Sequence, residues 1–158
     1  MTEIQIHTTN FYNKKKEREV QSYMRLWHKD LVTVLPRQQL LSQWRECCAI
    51  AKSISEKGTP NHILVNKVMD YPLSHLYTYG ILVAGEMSDR GYKVDETKFT
   101  RWISGHYQKF IIPNQMFHGW HNERYLIQCY HNLEEKYDCG GVPEDEWRKV
   151  VNKVIIYK

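Results

Sequence analysis

From Pro36 to about Lys57, the apolar residues Leu40, Leu41, Trp44, Cys47, Cys48, Ala51 and Ile54 recur at three- and four-residue spacing. Proline suits a first helical turn and Gly58 a C-terminal stop, so this stretch is predicted as the first strong helix. Arg37, Gln38, Arg45 and Lys52 fall on its polar side, and Glu46 lies on a flank with Gln39 and Gln43. Thr59-Pro60 is expected to cap a short helix running to about Met69, and Tyr71-Pro72 to interrupt it. A second long helix is predicted from Leu73 to Arg90, with Leu76, Tyr77, Ile81, Ala84 and Met87 inward and Gly91 ending it. Asp95 can cap a helix carrying Phe99, Trp102, Ile103 and Tyr107, and Pro113-Asn114 marks a loop. Asn122 to Tyr137 is predicted as the third long helix, with Tyr125, Leu126, Cys129, Tyr130 and Leu133 apolar. Cys139-Gly140-Gly141 breaks it, and Pro143 opens a last amphipathic helix with Trp147, Val150, Val151 and Val154. Val154 to Tyr157 could also be extended. The expected fold class is therefore all-α: a compact single domain on three long helices with shorter connecting helices. It spans residues 24–158, behind an N-terminal extension of 23 residues expected to be disordered or untranslated.

Composition supports this picture without naming a function. The 158 residues suit one domain, and 42% hydrophobic content is enough to bury a core. No apolar run approaches the roughly 18–20 residues a membrane helix needs, and residues 1–23 are polar and basic without the apolar core of a secretory leader. The four cysteines are then expected as reduced helix-core thiols in a cytoplasm, since no CxxC pair suggests zinc. The formal charge of +4 suits a polyanionic partner but does not require one. Residues 24–158 carry 18 basic and 15 acidic side chains, and so keep a net +3.

The residues that carry chemistry begin with VTVLPRQQLLSQWRECCAI, residues 32–50. This stretch resembles, without gaps, the first helix of the phage endonuclease V family of pyrimidine dimer DNA glycosylases. The TPNHIL segment at Thr59 resembles the family's next turn. Glu86-Met87 with Arg90-Gly91-Tyr92 resembles the end of its second long helix, and Leu133-Glu134-Glu135-Lys136 a stretch of its third. MRLWH at Met24 is similar to the opening of bacterial relatives. The likeness covers about residues 24–137, densest in the first helix.

The resemblance implies a DNA repair glycosylase that flips a nucleotide and also cuts the strand at the abasic site. An N-terminal α-amine attacks sugar C1′ of a damaged nucleotide, the base departs, and the resulting Schiff base undergoes β-elimination. Carried over by position, the assisting carboxylate is Glu46, Arg45 holds a phosphate beside the lesion, and Lys136 contacts DNA further off. Arg25, Arg37, Gln38 and Lys52 complete the expected DNA-binding set. Double-stranded damaged DNA is the expected partner, a monomer the expected state, and no metal or organic cofactor is expected. The chemistry is sound on its own terms. An α-amine has a pKa of about 8 against about 10.4 for lysine, and only the unprotonated amine attacks. A carboxyl group beside developing oxocarbenium charge can stabilise it or move its protons. Arginine suits phosphate because its planar fork is always charged.

The family's start aligns with Met24 rather than Met1. Two features of the sequence suggest translation from Met24. Residues 1–23 have no core-forming pattern, and Lys14-Lys15-Lys16-Glu17-Arg18-Glu19 is a solvated charge run. Glu17-Arg18-Glu19-Val20 can also be encoded by a purine run placed where a bacterial ribosome-binding site precedes a start codon. Met24, retained before the bulky Arg25, would then supply the amine. The alternatives are a basic arm that binds phosphates, or removal of Met1 so that Thr2 supplies the amine. The aromatic-rich C-terminal tail of the family has no clear match; Trp147, Arg148, Lys149, Lys153, Tyr157 and Lys158 end this chain instead. His118, His121 and His131 with Glu123 raise a metal site, but a structural role for the Trp120–Arg124 turn is expected, and that turn could also stack on nucleotides. The rival to an enzyme is a non-enzymatic DNA-binding module on the same scaffold, which would survive Glu46→Gln unchanged.

Overall fold

Three prolines and a glycine set ends of the principal helices. Pro36 immediately precedes α1 (Arg37–Lys57), and Gly58, in the left-handed region at φ 76°, ends it by donating its N–H to the Ile54 carbonyl. Pro72 precedes α2 (Leu73–Asp89). Asp95 accepts from the Thr97 N–H and hydroxyl at the start of α3 (Thr97–Ile103). Asn122 caps α4 (Glu123–Asp138) by accepting from the Tyr125 N–H at 2.9 Å. Pro143 opens α5 (Glu144–Ile155). The computed structural model describes residues 24–103, 105 and 110–156. The extension 1–23 with its charge run and Thr2, and also Tyr107, Tyr157 and Lys158, lie outside the described residues. Among those described there is no strand, so the chain is all-α, and the end of α5 is helical through Ile155.

α1 packs on both α2 and α3, and α5 packs on α4. A 3-10 turn at Lys29–Val34 bridges α2 and α5. The core runs through this arrangement as one cluster, from Leu26 and Leu31 through Leu40 and Ile50 to Leu133 and Val150. No described helix is long and apolar enough to cross a membrane. All four cysteines are free; Cys47 and Cys129 are buried, whereas Cys139 is exposed.

Two expectations fail. The helix anticipated from Thr59 to Met69 is a turn followed by a 3-10 segment, Asn66–Asp70. The Thr59 hydroxyl does accept from the Asn61 N–H, but Asn61 sits at φ 56°, and a left-handed residue there prevents helix growth. On α2 the buried face is Leu76, Tyr79, Gly80, Val83, Ala84 and Met87, and Ile81 lies off it, only part-buried. Of the expected inward residues, Leu76, Ala84 and Met87 are buried, whereas Tyr77 and Ile81 are part-buried and Tyr79 is fully buried instead.

Gly80 explains why α2 can lie so close to α3. A Cβ at Gly80 would stand 2.3 Å from Phe99 Cζ, and Phe99 is fully buried, so the ring has nowhere to retreat. A Cβ at Gly85, on the exposed side of the same helix, would meet nothing within 4 Å. Gly80→Ala is expected to lower stability by about 1–3 kcal/mol through overpacking. Gly85→Ala should raise it by about 0.5–1 kcal/mol through helix propensity. Equilibrium urea unfolding of the two variants checks both signs.

Candidate active site

Residues 24–28 run as an extended segment ahead of the Lys29–Val34 turn, and α1 and α4 hold them in place. Leu26, Trp27 and His28 are buried, which anchors the segment hydrophobically. Its polar groups are tied from both sides. Trp27 N–H donates to Gln43 Oε1 of α1 at 2.7 Å. Gln43 Nε2 donates to the Arg25 carbonyl at 2.8 Å. The Tyr79 hydroxyl of α2 donates to the Trp27 carbonyl at 2.7 Å, and the Tyr125 hydroxyl of α4 donates to the Leu26 carbonyl.

The next residues are fixed by histidines. His28 and His121 stack with ring centroids 5.2 Å apart, and both are buried. His28 Nδ1 accepts from the Asp30 N–H at 3.1 Å, and His121 Nδ1 from the Lys29 N–H at 2.9 Å. Burial pushes both pKa values down, that of His121 well below the usual imidazole range, so both rings are held neutral. His121 is thereby a structural residue of the Trp120–Arg124 turn. Among the described residues no three His, Cys, Asp or Glu side chains come together in a metal-binding group.

Glu46 sits at the centre of the resulting site. Its carboxylate accepts from the Arg25 backbone N–H and, at 2.9 Å, from Gln43 Nε2. The Arg25 nitrogen is the first peptide nitrogen after Met24, so the carboxylate lies one residue along the chain from the Met24 nitrogen. Burial raises the Glu46 pKa to about 7, against the opposing pull of the Arg25 backbone N–H and of the charges of Arg25, Arg45 and Lys136. Glu46 is thus poised to change protonation near neutrality.

Glu46 opens into a pocket of about 430 Å³ shared with Arg25, Gln38, Ser42, Asn132 and Lys136, a size that suits a nucleotide. Arg25 is steered by Trp27, whose ring centre lies 5.0 Å from its guanidinium carbon. Arg45 is exposed beside the pocket and its Nη2 donates to Ser42 Oγ at 3.3 Å. Gln39 also lines the pocket, with a buried Oε1 that no described residue satisfies. Of the residues singled out in the sequence, the fold brings Arg25, Gln38, Glu46 and Lys136 to one pocket; Arg45 is bonded to its lining Ser42, and Met24 precedes Arg25 with its side chain packed against the core. The fold does not bring Arg37 or Lys52 there. Arg37 Nε donates to the Tyr92 hydroxyl at 3.0 Å, and its own N–H donates to Glu146 of α5. The Lys52 ammonium sits 5.7 Å from the Trp102 ring centre on the α3 side.

Sequence reasoning missed Gln43, Trp27, Asn132 and Glu135. Gln43 was placed on a flank, yet it is fully buried and its side chain makes four hydrogen bonds. Its position was legible: it stands three residues after Leu40 and four before Cys47, inside the apolar stripe. Asn132, Glu135, Lys136 and Cys139 share one face of α4 by their spacing, but nothing local says that this face meets α1.

A family model described as pyrimidine dimer DNA glycosylase matches residues 24–100. The match takes in Met24, Arg25, Arg45 and Glu46 and stops before α4 and Lys136. No curated protein and no solved structure matches the chain.

Proposed function

We infer, from the membership of residues 24–100 in the pyrimidine dimer DNA glycosylase family, that this pocket removes a damaged base from DNA and then cuts the strand. The family makes the chain a DNA repair glycosylase with DNA as its substrate. Beyond that, the reading assigns the reaction to an α-amine at Met24, exposed when the chain begins there, with Glu46 as its acid–base partner. The observation that carries it is the part-buried Glu46 carboxyl beside the Arg25 N–H, one residue along the chain from Met24.

The steps follow from those positions. The amine lone pair bonds to sugar C1′, the C1′–base bond breaks with its electron pair leaving on the base, and the proton shed by the newly alkylated nitrogen is taken up by the departing base. The sugar ring then opens as O4′ departs from C1′ and takes a proton from Glu46, leaving an iminium. Loss of a C2′ proton expels the 3′ phosphate, and water releases the sugar remnant to restore the amine. A carboxyl with a pKa near 7 can give and retake a proton within this cycle. On this reading Arg25, Arg45 and Lys136 hold phosphates around the extruded nucleotide, with Gln38 as a polar contact; their proximity to Glu46 supports it. Arg37 and Lys52 have no part in this pocket. Pyrimidine dimers are the substrate the family name indicates.

Borohydride reduction in the presence of abasic-site DNA tests the reading, comparing the 158-residue chain with one that begins at Met24. A covalent adduct mapped to the Met24 nitrogen in the shorter chain is expected. DNA binding by both chains with no adduct from either would replace the enzyme with a non-enzymatic DNA-binding module.

A further inference from the structure

Beyond the Glu46 pocket a groove continues along α4. A stretch of about 210 Å³ shares Arg25 and Asn132 with the pocket and adds Leu64, Tyr125 and Gln128. A further stretch of about 330 Å³ shares Leu64, Tyr125 and Gln128, and reaches Ile63, Lys67 and Arg124. Tyr125, Gln128 and Asn132 continue, at helical spacing, the α4 face that carries Lys136. Among the described residues these two stretches are lined by three cations, Arg25, Lys67 and Arg124, and by no carboxylate. That suits a nucleic-acid strand following the groove.

The wall of this groove carries Ile63, which is 85% exposed, and beside it Leu64, 46% exposed. Ile63 and Leu64 are neighbours, so they form a small apolar patch on a groove wall otherwise lined mostly by polar and cationic groups. The patch sits on a tightly braced turn. The His62 carbonyl accepts from the N–H groups of Val65 and Asn66, at 3.0 and 2.8 Å. The Leu64 N–H donates to His62 Nδ1 at 3.2 Å, and the His62 N–H donates to Asn66 Oδ1 at 3.0 Å. Pro60 and Val65, buried on either side, root the turn in the protein, and the Ser53 hydroxyl of α1 ties it down at the Thr59 carbonyl at 2.8 Å. The backbone thus spends its polar groups on the turn itself and presents Ile63 outward.

We propose that Ile63, backed by Leu64, is a wedge that enters the base stack next to the nucleotide held at Glu46 and keeps the duplex open there. The proposal rests on DNA as the substrate, not on the amine chemistry. Apolar wedges inserted between base steps unstack them, and the cost is met by contacts that the kinked duplex then makes. Leu64 and Arg25 line the same middle stretch of the groove, which joins the Glu46 pocket to the stretch that Ile63 lines. Lys67 and Arg124, flanking the wedge, are placed to bind the phosphates of the strained strand.

The test uses the full chain and a duplex that carries a non-cleavable tetrahydrofuran abasic analogue opposite 2-aminopurine, whose fluorescence rises on unstacking. Binding of the unaltered protein should raise the signal. Ile63→Ala should cut that rise at saturation to about a third or less and weaken duplex binding about tenfold, yet change binding to a pre-opened bubble less than about twofold. Ile156→Ala, at a position 82% exposed and outside the groove, should match the unaltered protein. A full rise with Ile63→Ala, or no rise with the unaltered protein, overturns the wedge. An Ile63-dependent rise without any borohydride adduct would leave the wedge standing and remove the amine chemistry instead.

Discussion

Glu46→Gln should abolish strand cutting and, in the full-length chain, make the protein more stable at pH 8. The two effects share one cause. Burial raises the Glu46 pKa to about 7, from the ordinary 4.5, because desolvation outweighs the neighbouring cations and the Arg25 N–H. A carboxyl whose folded pKa is raised binds its proton more tightly in the folded state. Its contribution is therefore favourable at low pH and is lost as pH climbs from about 4.5 through 7. Above 7 the folded protein must hold an ionised, part-buried carboxylate. Glutamine removes that charge at every pH. The gain at pH 8 is expected at about 2 kcal/mol, a rise of about 5 °C in thermal midpoint, and it should shrink steadily towards pH 4.5. A gain independent of pH would disprove the charge explanation.

Activity should move the other way. Without a group that can exchange a proton at the opening sugar, strand cutting is expected to fall at least about 100-fold. DNA binding should be kept or slightly tightened, because a negative charge has been taken away from the pocket proposed to receive phosphates. Gel-based cleavage and fluorescence anisotropy on the same abasic duplex separate the two. Full cutting by Glu46→Gln would remove this residue from the mechanism.

Gln43→Leu is expected to be the most damaging single change in the stability of the site, at about 3–5 kcal/mol. Gln43 is fully buried, and leucine approximates its volume. The loss is therefore one of hydrogen bonds. Trp27 N–H, the Arg25 carbonyl, the Tyr79 hydroxyl and Glu46 Oε2 all pair with the Gln43 amide, at 2.7 to 2.9 Å. The Tyr79 hydroxyl still has the Trp27 carbonyl, but the Trp27 N–H and the Arg25 carbonyl would be left without that partner, each at the cost of desolvation. The variant also releases the segment that carries Met24 and Arg25 from α1, so any remaining folded protein should lose affinity for abasic DNA. Denaturant titration would show a loss below about 1 kcal/mol if the amide were dispensable.

The helices themselves were legible because their signals are local. The α1 stripe, with Pro36 before it and Gly58 after it, lies within 23 consecutive residues, and the structure places the helix at Arg37–Lys57. Asn122, Pro72 and Pro143 mark starts in the same way. The failures came where a local pattern was overruled. The Thr59–Met69 stretch has a capping residue and apolar spacing, yet a left-handed Asn61 and a turn closed on His62 replace the helix, and that turn puts Ile63 into solvent.

The helical class and the ends of the long helices follow from local signals in the chain, while Arg45, Glu46 and Lys136 were singled out only through a resemblance to a known family. Only the tertiary structure decided how those groups meet. Glu46 and Arg25 are 21 positions apart in the chain and Lys136 is 90 beyond Glu46, and no periodicity links such distances. They converge because α1 and α4 enclose the extended residues 24–28 between Gln43 and Tyr125. The pKa of Glu46 near 7 is likewise a property of that enclosure, since burial is a sum over neighbours that the chain acquires only on folding.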